Sequence, residues 1–388
     1  MKNLTAPIKV FFQSKTRVMI FLGVLIMIVG YVLSFSVIAE KYVYCRGDDF
    51  TQYAKMGEKK YENDEFIAFN ARKLGEKATF QIELAKSNDY LMQNLKISKG
   101  SYVIVNELKD VDSNSIRYVV QDVYRIPIII FLFFVFAGLL FMVSGIQGLN
   151  ALFSMIVSTI MVIYVGVYFV LSGYSPVLVI VVCGPIVLFF STFVSHGINK
   201  KSAISFVSSL IVLFMSYFMA KLFNNALRIT GYTLTRHMYL TEEVVRYLPM
   251  ILQMASIIGV LGVLDDVTIN QINMIEVLSS DKRLKKIGDL YQKAMENGSD
   301  HIASMVNTLT FAYIAGSFFT VFSFAINKWK VNQILNLESI ADEISRTFVG
   351  SIAIVIAVPL STYLAALYYR KIDKAIVKKL KKKTRVKK

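Results

Sequence analysis

The sequence predicts a polytopic α-helical membrane protein of about eight transmembrane helices, with a small β-rich domain of OB-like or SH3-like type on the extracytoplasmic side between the first and second helices. Three observations carry this. Of 388 residues, 55% are hydrophobic and the mean hydropathy is +0.52, more apolar surface than a soluble domain can bury. Several runs exceed the ~18 residues that a membrane-crossing helix needs. The excess of basic residues, a net charge of +16, sits in short clusters between those runs, where it orients a membrane chain. That placement argues against a nucleic-acid partner and for the lipid bilayer.

The apolar runs place the spans at 17–38, 126–144, 149–171, 175–195, 203–223, 248–264, 302–325 and 348–369. The first is longer than the apolar core of a secretory signal and no small-residue cleavage site follows, so an anchor is expected. Lys2, Lys9, Lys15 and Arg17 precede it, Lys200 and Lys201 follow the fourth span, and Lys282, Arg283, Lys285 and Lys286 follow the sixth. With the basic tail 370–388, these clusters put both termini in the cytoplasm. The expected domains are 1–39, cytoplasmic N-terminus and first helix; 40–124, the β-rich insert; 125–369, a seven-helix membrane domain; and the tail.

Within the insert, KATFQIEL, YVIVNEL and RYVVQDVY read as strands, and LKISKGSYVIV as a turn leading into one. Asp48 and Asp49 beside Cys45 read as a solvated loop. Cys45 and Cys183 are expected on different sides of the membrane, too far apart for a bridge, and they form no metal-ligand spacing. The fourth span contains Pro176, Gly184 and Pro185, and Gly184 with Pro185 reads as a helix break. His196 at its end reads as a polar end-group. The 224–247 loop reads as a charged loop or a short interfacial helix.

The sharpest polar signal follows the sixth span. An apolar run ends on Asp265 and Asp266, within GVLDDVTINQ. An ionisable group at bilayer depth costs roughly 2.5–3.5 kcal/mol on insertion scales and is a functional-site hypothesis by default. At 100° per residue Gly259, Gly262, Asp266, Asn270 and Asn273 share one face, with Asp265 and Glu276 beside it, and Thr268 in the same motif is counted with them in the expected ion or substrate path. The glycines would admit another backbone. Two adjoining carboxylates repel when both are ionised and burial favours the neutral acid, so one of the pair is expected to titrate near physiological pH, as proton or cation coupling requires. The plainer reading is that the acids end the helix in the interface.

The next span is expected to start after NGSD, capped by Ser299 or Asp300, and to carry Ser304, Asn307 and Thr308 on one face. That face either meets the acids in a site or supplies interhelical hydrogen bonds alone. The segment 268–300 between the two spans reads as an amphipathic helix on the cytoplasmic membrane face.

Together, GVLDDVTINQ, Glu276 and HIASMVNTLTFAYIAG resemble the YibE/F-like family of bacterial membrane proteins. SHGINKKSA is similar to that family's Gly-x-Asn-x-Lys-Ser segment, here Gly197, Asn199, Lys201 and Ser202, and the insert ending YVVQDVYRIP resembles its outer module. The likeness covers about residues 80–325 and marks Asp266, Asn307 and Thr308 as signature positions. It implies a multi-pass membrane protein with a second family member as partner subunit. The order of acid, amphipathic segment and Thr-bearing helix is also similar, more loosely, to the SecD/SecF branch of proton-driven proteins.

No HExxH, GxGD, Ser–Lys or phosphate-binding Gly-rich Lys loop is present, so neither an enzyme nor a nucleotide-driven pump is expected, and no cofactor or metal. Two functions remain. One is a secondary transporter or permease subunit, moving an unknown small solute or ion coupled to protons or cations. The other is a non-transporting assembly or interaction protein whose polar locus is structural.

Overall fold

The structure, a computed structural model, describes residues 22–29, 51–62, 66–73, 79–85, 99–109, 116–232, 242–281, 283–284 and 286–386. Most of the expected first span lies outside these, as do Cys45, Asp48, Asp49 and much of the 224–247 loop. The chain folds as two compact units, Met1–Leu149 and Asn150–Lys388.

The first unit contains a closed five-stranded barrel. Its strands are β1 (Thr51–Glu62), β2 (Phe66–Lys73), β3 (Thr79–Ala85), β4 (Tyr102–Lys109) and β5 (Ile116–Val123). They close in the order β1-β2-β3-β5-β4. All pairs are antiparallel except β3 with β5. Alternating residues fill the interior: Ala54, Met56, Phe69, Ala71, Ile82, Val103, Val105 and Val120. The register of β1 shifts after Met56. There a side chain at Gly57 would stand 2.6 Å from the Asn70 carbonyl oxygen, so the bulge requires glycine.

The three predicted strands correspond to β3, β4 and β5, and the predicted turn holds Gly100 at φ +92°. β1 and β2 were not predicted, because TQYAKMGEKKYE and FIAFNARK put Ala and charge where strand propensity looks for β-branched residues.

The unit also contains α1 (residues 22–29) and α2 (Ile126–Ser144). A methyl on Gly23 would lie 2.8 Å from the Gly138 carbonyl oxygen, and one on Gly138 2.7 Å from that of Gly23. The two helices therefore cross backbone to backbone. α3 (Ile146–Leu171) follows and changes to π-helix over Met161–Gly166.

The second unit continues with α4 (Pro176–His196), α5 (Lys200–Ala226), α6 (Glu242–Ser279), α7 (Ile287–Ile326), the short α8 (Val331–Leu335) and α9 (Glu338–Val386). Among the described residues, seven helices are long and apolar enough to cross a membrane. α6 is the hub, packing on α4, α5, α7 and α9. Leu188, Val212, Ile257, Val260, Leu264, Ala353, Ile354 and Val358 form the centre of this core.

Three expectations are corrected. α4 runs unbroken through Gly184 and Pro185. Gly184 is held against Leu213 of α5, and the irregular backbone lies in α3 instead. The acid pair does not end α6, which continues to Ser279. Val267, Ile269, Ile272 and Ile275 after the acids are buried, so the helix is carried onward by protein packing.

The segment 268–300 is accordingly no single surface helix. It is the end of α6, a short turn and the start of α7, closed on a second core of Ile272, Ile275, Leu290, Ala294, Ala365 and Ala366. Ser299 and Asp300 lie inside α7, and the Ser299 hydroxyl returns to the Met295 carbonyl at 2.9 Å. The glycine of NGSD marks close packing: a methyl on Gly298 would stand 2.9 Å from Val358 Cγ1 and 3.0 Å from Gln271 Nε2.

Candidate functional site

The turn between α4 and α5 sets the first part of the site. Gly197 takes φ +79°, a left-handed conformation that ends α4. Asn199 caps α5 by accepting the Ser202 amide at 2.9 Å, while its own amide donates to the His196 carbonyl at 2.7 Å. The Ser202 hydroxyl donates to the Gly197 carbonyl at 2.7 Å. Gly197, Asn199 and Ser202 thus make a rigid corner that fixes where His196 stands. Lys201 pairs with Glu276 of α6, and Tyr369 of α9 donates to the same carboxylate at 3.1 Å. Glu276 is therefore a tie between three helices, lying roughly 16 Å along α6 from Asp265 at 1.5 Å per residue.

The two acids are unequal. Asp265 is buried and accepts one hydroxyl on each oxygen, from Thr192 at 2.7 Å and from Ser191 at 2.8 Å. His196 Nε2 stands 3.7 Å from the same carboxylate. Asp266 has no hydrogen-bond donor on its carboxylate among the described residues and is exposed. It lies within electrostatic reach of Asp265, His196 and His301. Buried His301 Nε2 is itself without a partner among the described residues.

Both acids line a cavity of about 620 Å³ between α3, α4 and α6. Its polar wall holds Ser154, Ser158, Thr159, Ser191, Ser195 and His196. The buried Ser158 hydroxyl has no partner among the described residues. Gly262 also lines the cavity, and a methyl there would meet nothing within 4 Å, so this glycine borders open space and not another backbone. A second cavity of about 670 Å³ adjoins the first, sharing Val162, Ile163 and Ile258. It is apolar and reaches Gly173 and Tyr247 near the opposite ends of α3 and α6. The π-helical stretch of α3 lines both, a kind of irregularity frequent at functional sites.

The other predicted residues fall elsewhere. The Thr268 hydroxyl is buried against Ser205 at 2.6 Å and Ser209 at 3.0 Å of α5 and donates to the Leu264 carbonyl at 2.8 Å. It joins helices and does not face the cavity. Asn270 and Asn273 lie further along α6, with no hydrogen bond among the described residues. Ser304, Asn307 and Thr308 are exposed on the outside of α7, and the Thr308 hydroxyl returns to the Ser304 carbonyl at 3.0 Å. They satisfy neither acid.

Sequence reasoning missed the true partners, Ser191 and Thr192. Their signal is present: Ser191 and Ser195, and Thr192 and His196, each recur at a four-residue step in an otherwise apolar span. Among the described residues no group of three His, Cys, Asp or Glu side chains is arranged to hold a metal ion.

Fold and site define an integral, multi-pass membrane protein with a polar cavity among its helices. The family described as YibE/F-like protein matches residues 132–371, and the chain belongs to it. The match ends within α9, further than the motifs reach, and begins within α2, so it does not include the barrel. No curated protein and no solved structure matches the chain.

Proposed function

We propose that the protein is a subunit of a secondary transporter of the bacterial cytoplasmic membrane, coupled to protons or cations through Asp266. The carrying observation is the inequality of the acid pair. One carboxylate is locked by two hydroxyls, while its neighbour faces a cavity with its hydrogen-bonding capacity unused. A carboxylate held in place but not saturated by the protein is suited to bind and release a proton or cation. The adjoining cavities extend this polar end along α3 and α6 into an apolar passage, a path for a small solute.

In this reading both termini are cytoplasmic, by the distribution of Lys and Arg, and the barrel is extracytoplasmic. Its five strands in one closed sheet favour the OB-like of the two expected types, a surface for docking or sensing. A second family member is the expected partner. The test is reconstitution of wild type and Asp266→Asn in liposomes with a panel of small solutes under an imposed proton or sodium gradient. Gradient-driven uptake that Asp266→Asn abolishes supports the proposal; uptake retained in Asp266→Asn refutes it.

A second reading, an assembly protein, is favoured by one observation. Ser304, Thr308, Ala312 and Gly316 recur every four residues on the exposed face of α7, a spacing that lets another membrane helix approach closely. Under this reading Thr308→Leu breaks a complex isolated from membranes, and wild type moves no charge.

A further inference from the structure

A second buried polar group lies at the start of α9. Asp342 is 2% exposed and accepts from Arg346 at 2.5 Å through one oxygen. Its other oxygen, the Arg346 Nε and the buried Ser345 hydroxyl have no partner among the described residues. Arg346 also stands 3.5 Å from Glu343. Two carboxylates thus share one guanidinium, and unused hydrogen-bonding atoms of Asp342, Ser345 and Arg346 are buried beside the partly exposed Glu343.

Tyr313 of α7 connects this group to α6. Arg346 and Glu343 are within electrostatic reach of its phenol. Its hydroxyl lies over Gly259, so close that a methyl there would collide with it. One turn further is Gly262, with open space beside it, and one more turn brings Asp266. Gly259, Gly262 and Asp266 share a face of α6, and the distance from the first to the last is about 10 Å, which two or three hydrogen-bonded waters span.

We propose that the Tyr313 hydroxyl is a proton relay between the Asp342–Glu343–Arg346 group and Asp266, along the glycine face of α6. A protonated Glu343 carboxyl gives its proton to a water beside it as that water passes one to the phenol oxygen. The phenol's own proton goes to a water beside Gly262 and the chain ends on the Asp266 carboxylate, while the ionised Glu343, partly exposed, takes a new proton from solvent. The hydroxyl regains its proton at each transfer, so the net result is one proton moved and no change at Tyr313. The inference rests on the reading of Asp266 as the proton-binding group.

The experiment follows Asp266 directly. Wild type, Tyr313→Phe and Gly259→Ala are placed in liposomes with uniform orientation. The pH is stepped on one side at a time while the infrared carboxyl band absent from Asp266→Asn is recorded. Phe keeps the ring and removes only the hydroxyl, and Ala at 259 displaces it. From the Asp342 side, both variants are expected to slow protonation of Asp266 by roughly a hundredfold, the lower end of the range for loss of a positioned proton-transfer group. From the His196 side the rate stays that of wild type. Equal rates in wild type and both variants from the Asp342 side overturn the relay. Relay behaviour without any solute or charge transport would leave the relay standing and refute the transporter. A band that responds to neither step refutes both.

Discussion

Thr192 donates its hydroxyl to Asp265 over 2.7 Å, joining α4 to α6 where both side chains are closed off from solvent. With Ser191 on the other oxygen, this contact separates the roles of two adjacent and chemically identical residues. Asp265 is part of the frame. Asp266 keeps its acceptors for something else.

Asp265→Ala is therefore expected to destabilise the fold. It removes the acceptor of two charge-assisted hydrogen bonds, at a cost of roughly 2–3 kcal/mol, since both hydroxyls can turn back to carbonyls of their own helix. Reversible unfolding in mixed micelles measures it. A change near zero would mean that Asp265 is not a framework residue.

Thr268→Val keeps the shape of the side chain and removes its bonds to Ser205 and Ser209. Interhelical hydrogen bonds in membranes are modest, so a loss of about 0.6–2 kcal/mol is expected, with transport unchanged. Transport lost at unaltered stability would move Thr268 into the site.

Gly298→Ala tests the helical hairpin that replaces the expected surface helix. Its methyl would press on Val358 and Gln271, an overpacking that costs roughly 1–3 kcal/mol. Unfolding of the variant by denaturant checks this. An Ala tolerated without loss would show that α7 does not approach α6 and α9 so closely.

Gly259→Ala and Tyr313→Phe form a double-mutant cycle. Ala at 259 is expected to destabilise the wild-type background and to be accommodated once the phenol oxygen is gone, giving a coupling of about 1 kcal/mol. Additive effects would mean that Tyr313 does not cover Gly259.

The course of the membrane helices was legible because each span is a long apolar run. Asp265 and Asp266 stood out for the same reason, as charge against an apolar background. The lengths of α6 and α7 were not legible. Ile272, Ile275 and Leu290 are buried by α5 and α9, and a window along one chain cannot distinguish burial in protein from contact with a membrane surface. Nor was the choice of partner. Thr308 and Thr192 are both threonines near one end of a span, and only tertiary packing assigns Asp265 to the second. The corner at Gly197, Asn199 and Ser202 was visible as a motif because its chemistry is local, closed within a few residues.

The most direct test treats the two acids in parallel. Charge movement under a proton gradient and unfolding stability are measured for wild type, Asp265→Asn and Asp266→Asn in the same lipid. The account predicts that Asp266→Asn abolishes charge movement at wild-type stability, while Asp265→Asn lowers stability. Charge movement that survives in Asp266→Asn, or a loss of stability there equal to that in Asp265→Asn, would contradict it.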